Sequence, residues 1–148
     1  ARVEPVALVD DPVPFSETEL TVDDVLLAAE ALAAQGEPFT GIQLGEWMLE
    51  STPENPDALA GQGWLLARSA TPDALAPAEI GLTFLDRALG VEPAHPEALV
   101  YRAFVHNFLG DPVSAAADLA AFDDLDTRPA DLRGLILAFG LRESIGAS

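Results

Sequence analysis

Gly41-Ile42-Gln43-Leu44, followed by Pro53-Glu54-Asn55-Pro56-Asp57-Ala58-Leu59, recurs at a constant offset of 40 residues as Gly81-Leu82-Thr83-Phe84, followed by Pro93-Ala94-His95-Pro96-Glu97-Ala98-Leu99. A seven-residue phrase, Pro-x-x-Pro-acid-Ala-Leu, thus occurs twice in phase. Repetition at such a period is the mark of an array of similar supersecondary units. The second proline of each phrase opens a helix, because the first helical position has no intrahelical partner for an N–H and tolerates proline. The first proline marks the end of the preceding helix, which cannot continue through it.

Working outward from this repeat, Pro38, Pro77, Pro112 and Pro129 stand at comparable starts. Asn55 and Asp111 immediately precede two of the helix-opening prolines and suit the N-cap. Thr21-Val22-Asp23-Asp24 is another start, with Thr21 as the cap and carboxylates in the first turn complementing the helix dipole. Val25, Leu26, Ala29, Leu32 and Ala33 then recur at helical spacing up to Gly36, a stop signal. The spacing predicts helices over 22–35, 38–51, 56–69, 77–91, 96–109, 112–125 and 129–144. Residues 1–20 differ: Pro5, Pro12 and Pro14 lie among Glu4, Asp10, Asp11, Glu17 and Glu19. They read as an acidic arm or linker, with residues 21–148 as one helical domain.

With these residues in place, the sequence resembles the tetratricopeptide-repeat family, whose unit is about 34 residues of helix–turn–helix. The match divides the chain into repeats at 22–55, 56–95 and 96–129, closed by a capping helix at 129–144. The family's small residue within the first helix is matched by Ala29, Gly63 and Ala103. Its small residue early in the second helix is matched by Gly41, Gly81 and Ala115. Its turn glycine is matched by Gly36 and Gly110, and its terminal proline by Pro53 and Pro93. The middle unit lacks the turn glycine and carries extra residues around Ser69-Ala70-Thr71-Pro72. The resemblance implies an all-α fold, an α-solenoid of antiparallel hairpins in a right-handed superhelix.

Composition sets limits on function. The 148 residues carry 25 acids against 7 arginines and no lysine, a net charge of −18. Phosphate contacts need a basic surface, which excludes nucleic acid as a partner. No apolar run approaches the roughly 18 residues of a membrane span, so direct membrane insertion of this chain is not expected. Cysteine is absent, which removes disulfides and thiolate chemistry. The charge serves either solubility or the steering of a basic partner. Beginning at Ala1 with no signal-peptide pattern, the sequence is expected to be an excised or processed soluble region, cytoplasmic or the exposed part of a membrane-anchored or exported bacterial protein.

Catalytic groups are sparse. His95, just before Pro96, reads as a cap or a solvated ring, and His106 as a half-buried structural histidine. Neither belongs to a nucleophile–base spacing, and no glycine loop is patterned to cradle phosphate. Asp123, Asp124 and Asp126 crowd a helix C-terminus against the dipole, with Arg128 and Arg133 as expected counter-ions. They lack the glycine and distal glutamate of a calcium loop. The chain is expected to be no enzyme and to hold no cofactor or metal.

The resemblance implies that the first helix of each hairpin lines a concave groove. The candidate groove residues are Leu26, Glu30, Ala60, Gly61, Trp64, Arg68, Val100, Tyr101, Phe104, Asn107 and Phe108. Trp64, Phe104 and Phe108 would form an apolar floor, and Asp23, Glu30, Asp57 and Glu97 an acidic rim. Such a groove suits a basic or amphipathic polypeptide. The lysine and arginine clamp that some family members use for acidic C-termini is replaced here by Leu26, Glu30, Gly61, Glu97 and Tyr101. Two readings stay open at these positions: an open groove, or a core filled by the arm or by the last helix with Leu132, Leu135, Ile136, Phe139 and Leu141. The corresponding functions are a protein-binding adaptor, with the soluble part of a membrane-anchored assembly factor as one version, or a self-associating structural module.

Overall fold

A computed structural model describes residues 20–147, and within them eight helices follow one another. They are α1 (Val22–Ala34), α2 (Pro38–Ser51), α3 (Pro56–Arg68), α4 (Ala76–Val91), α5 (Pro96–Phe108), α6 (Pro112–Asp123), α7 (Ala130–Ala138) and α8 (Leu141–Gly146). Apart from Leu20, the acidic arm lies outside the described residues.

Each start has a local cause. Thr21 forms a reciprocal capping box with Asp24, the two backbone–side-chain bonds measuring 3.0 and 3.1 Å. Asn55 accepts from the Ala58 amide at 3.0 Å, and Asp111 accepts from the Ser114 amide at 3.1 Å. Gly36 and Gly110 close the first and third hairpins with φ of 86° and 84°, a region that L side chains rarely enter. The middle hairpin has no such glycine. Thr71 and Ala74 instead exchange backbone hydrogen bonds of 3.2 and 2.9 Å, closing the extra residues into a compact turn.

The helix expected over 129–144 is two helices. Gly140 takes a left-handed conformation with φ 60° and ends the run that begins at Ala130; α8 starts at Leu141. Pro129 is the N-cap of α7 rather than its first helical residue. The break lets both Ile136 and Leu141 reach the core, where they are buried together with Leu132.

Within each hairpin the helices approach closely at small residues. A Cβ added to Gly41 would stand 2.8 Å from the Ala29 carbonyl oxygen, and one on Gly81 would stand 2.5 Å from that of Gly63. Ala103 and Ala115 occupy the matching positions in the third hairpin and are fully buried. Between hairpins, α1 packs on α3 and α3 on α5, so the first helices lie side by side. The main core runs through α3–α8 with Leu59, Leu85, Leu99, Leu119, Phe122 and Leu132, while Val25, Met48 and Ala58 form a smaller cluster under α1.

Asp111 supplies a pH test of one cap. Hydrogen bonds from Ser114, through its side chain and its backbone amide, hold the Asp111 carboxyl below its ordinary range. A carboxylate lowered on folding adds stability above its unfolded pKa of about 3.9, and that stability is lost as pH falls through the folded value. Asp111→Asn keeps a good cap without the titration. Its acid-unfolding curve should therefore be flatter than wild type below about pH 4, with neutral-pH stability little changed, as read by circular dichroism.

Candidate functional site

The first helices bring together two adjoining compartments. One, of about 240 Å³, is lined by Trp64, Ala67, Arg68, Phe104, Val105 and Phe108 among others. The other, of about 460 Å³, is lined by Asp23, Leu26 and Glu30 of α1, Asp57, Ala60 and Gly61 of α3, and Glu97 and Tyr101 of α5, with His95 at its edge. The first is apolar apart from Arg68, and the second is walled by carboxylates.

An aromatic row separates and floors them. The Trp64 and Tyr101 rings stack with centroids 4.5 Å apart and planes 5° from parallel. The Phe104 ring lies 5.6 Å from that of Trp64, its plane tilted by 51°, and Phe139, at the end of α7, meets Phe104 edge-on at 6.1 Å and 89°. Stacked and edge-on geometries are the favourable ones for ring quadrupoles. Arg68 crosses the row: its guanidinium lies 5.5 Å from the Trp64 centroid and donates to Glu30 Oε1 at 2.8 Å. Burial first, and then the carboxylates of Glu30, Glu97 and Asp131, push the Tyr101 phenol well above its ordinary range, so the ring stays uncharged.

The residues named from the sequence do not all reach this surface. Leu26, Glu30, Gly61, Trp64, Arg68, Tyr101, Phe104 and Phe108 border the compartments. Val100 does not: it is 0% exposed and belongs to the core. Ala60, 1% exposed, lies beneath the acidic compartment and offers almost no surface. One helical position turns the side chain by about 100°, so a stripe drawn one residue too wide takes in core positions. Leu26 lies over Gly61, where its Cδ2 occupies the space that a Cβ would need. Asn107 is turned toward α8 and donates to Ser144 Oγ at 2.9 Å. The C-terminal helices therefore cover one end of the row at Phe104 and Asn107, leaving the Trp64 compartment bordered by Phe108.

Three polar positions carry more than the sequence suggests. His95 is not a solvated ring: it is 2% exposed and caps α5, its Nδ1 accepting from the Ala98 amide at 3.1 Å. That bond needs a lone pair on Nδ1, so the proton of the neutral ring sits on Nε2 and is donated to Asp57 Oδ1 at 2.6 Å. Asp57, His95 and Glu97 have ligand atoms within 4.8 Å of one another. With its proton on Nε2 and its Nδ1 occupied, the ring has no free lone pair for a metal ion. Asp118, on which the sequence alone places no role, is 5% exposed and accepts two bonds from Arg102, at 2.9 and 2.7 Å. Asp123 is neutralised mainly by Arg142, at 2.8 and 3.0 Å, with Arg128 at 3.9 Å. That pairing holds the Asp123 carboxyl below its ordinary range. Among the described residues, no helix is long and apolar enough to cross a membrane.

No protein-family model and no curated protein matches the sequence. Solved structures do match in shape. The first tetratricopeptide-repeat domain of human RPAP3 superposes with a TM-score of 0.66 at 12% identity, covering 85% of this chain and 93% of that one. TTC0263, a thermophilic tetratricopeptide-repeat protein of Thermus thermophilus, gives the same TM-score of 0.66 at 20% identity over 90% of this chain and 73% of its own. At such identities the likeness speaks for architecture. The chain has the tetratricopeptide-repeat fold, built as three helical hairpins in phase and closed by two shorter helices.

Proposed function

We propose that this chain is a scaffold that holds another polypeptide along its first-helix surface and performs no chemistry itself. The observation that carries this reading is the Tyr101–Trp64–Phe104 row, part-exposed and shared by two compartments large enough for side chains. Aromatic rings bury much area with few rotors, which makes them effective anchors at interfaces. The acidic wall and the charge of −18 favour a basic or amphipathic partner. Self-association as a homodimer is opposed by the same charge, since two like-charged copies must approach.

Affinity capture from a lysate of the source organism tests the reading. Phe108 is 43% exposed and Trp64 is half-buried, so Trp64→Glu/Phe108→Glu places two charges in the apolar compartment. A polypeptide retained by wild type and lost by the helical variant is the expected result. Equal retention by both would place binding elsewhere and end the groove reading. Phe108→Glu alone, at the more exposed position, serves if the double variant loses helicity.

A further inference from the structure

We infer that the acidic compartment seats an arginine side chain of the bound polypeptide, while an apolar neighbour of that arginine enters the Trp64–Phe108 compartment. The inference rests on the groove reading and specifies the partner's chemistry.

The protein already displays such a contact once. Arg68 lays its guanidinium toward the Trp64 ring and is pinned by Glu30, a carboxylate from the neighbouring hairpin. The acidic compartment offers the same two elements a second time. Tyr101 supplies an uncharged aromatic wall, and Asp23, Asp57 and Glu97 supply carboxylates from three different helices. Among the described residues no arginine lines it, so its charge has no cation of its own beyond the shared Glu30–Arg68 pair at the border.

His95 decides between an inorganic and an organic cation. With its proton on Nε2 and its Nδ1 engaged by the Ala98 amide, it binds Asp57 through one carboxylate oxygen, Oδ1. A metal would have to displace that ring proton; a guanidinium needs only acceptors. The separate carboxylates on neighbouring helices suit a planar fork that donates in several directions, rather than the point charge of an ammonium. Over the whole chain, the excess of 25 acids over 7 arginines favours the approach of such a cationic ligand.

The test uses three fluorescein-labelled synthetic peptides that share a helical design of leucine and alanine. One carries arginine four residues from leucine; the others carry glutamine or lysine in its place. Each is titrated into the full chain at about 150 mM salt, where diffuse attraction is screened over roughly 8 Å. The arginine peptide is expected to bind at least tenfold more tightly than the glutamine peptide, and a few-fold more tightly than the lysine one. Glu97→Gln and Asp23→Asn should each weaken the arginine peptide about fivefold, or roughly 1 kcal/mol, and leave the glutamine peptide unchanged. Glu46→Gln/Glu50→Gln, which removes exposed charge from α2, should change neither.

If arginine and glutamine peptides bind equally, and both depend on Trp64, the groove binds polypeptide but reads no arginine, and this inference fails alone. An equal loss in the α2 control would reduce the effect to diffuse charge and would also overturn it. Absence of binding by the arginine peptide at about 1 mM, a free energy near −4 kcal/mol, overturns it too. The capture experiment then judges the groove independently.

Discussion

Gly81→Ala is expected to destabilise the protein by about 2 kcal/mol, and Gly81→Val to prevent folding. In the same helix, Gly90→Ala should stabilise it by up to about 1 kcal/mol, the gain in helix propensity. The opposite signs come from what surrounds each position. A Cβ on Gly81 would lie 2.5 Å from the Gly63 carbonyl oxygen, 3.0 Å from the Ala67 amide nitrogen and 3.2 Å from the Ala67 Cβ. None of these atoms can swing aside, because two are backbone and one is fixed to it. Helices α3 and α4 must separate, which opens the packing of Leu59, Leu85 and Ala88 between them. A Cβ on Gly90 meets nothing within 4 Å. Urea unfolding of the three variants beside wild type checks the ordering. A Gly81→Ala variant as stable as Gly90→Ala would mean that the two helices are not held at the distance described.

The same contact shows why the architecture is legible in the sequence. Small residues are expected at positions 29, 41, 63, 81, 103 and 115 because paired helices approach only where side chains are short; 29 meets 41 and 63 meets 81, while 103 and 115 are both fully buried. Helix starts are legible because proline fixes its own φ at the first helical position and the cap residues bond amides three residues away. The break at Gly140 is not, since Leu132, Leu135, Ile136, Phe139 and Leu141 keep a helical rhythm across it. One glycine costs a helix only about 1 kcal/mol, too little to signal a stop by itself. Contacts distant in sequence are equally hidden. Asp57 reaches His95 across 38 residues, and Arg102 reaches Asp118 across 16. Nothing local marks either acid as different from the exposed ones around it. For the site, the aromatic positions can be named, but the inward turn of Val100 depends on how α5 is rotated against its neighbours.

That rotation is held by the network for which the second large effect is expected. Arg102 follows Tyr101 directly, turned about 100° around α5, and binds Asp118 of α6 through two bonds and Asp86 of α4 at 3.0 Å. Asp118 is the more buried partner, its side chain 7% exposed against 26% for Arg102. Removing the arginine with Arg102→Met leaves that carboxylate without its cation, at an expected cost of about 3–4 kcal/mol. Asp118→Leu leaves a partly exposed guanidinium that still has Asp86 and water, so its cost should be nearer 2 kcal/mol after solvent screening. The double variant Arg102→Met/Asp118→Leu exposes neither problem. Apolar replacement of a buried pair is often neutral, so it should recover to within about 1 kcal/mol of wild type. The cycle then gives a coupling of several kcal/mol, read from urea midpoints of the four proteins. Full recovery would mean that the ion pair contributes orientation more than net stability. In that case the stable double variant should bind the arginine peptide more weakly than wild type, because α5 is freer to turn Tyr101 and Phe104 away from the groove. A double variant as unstable as Arg102→Met alone would show that the bonds of Arg102 to Asp118 and Asp86 themselves hold α4, α5 and α6 together.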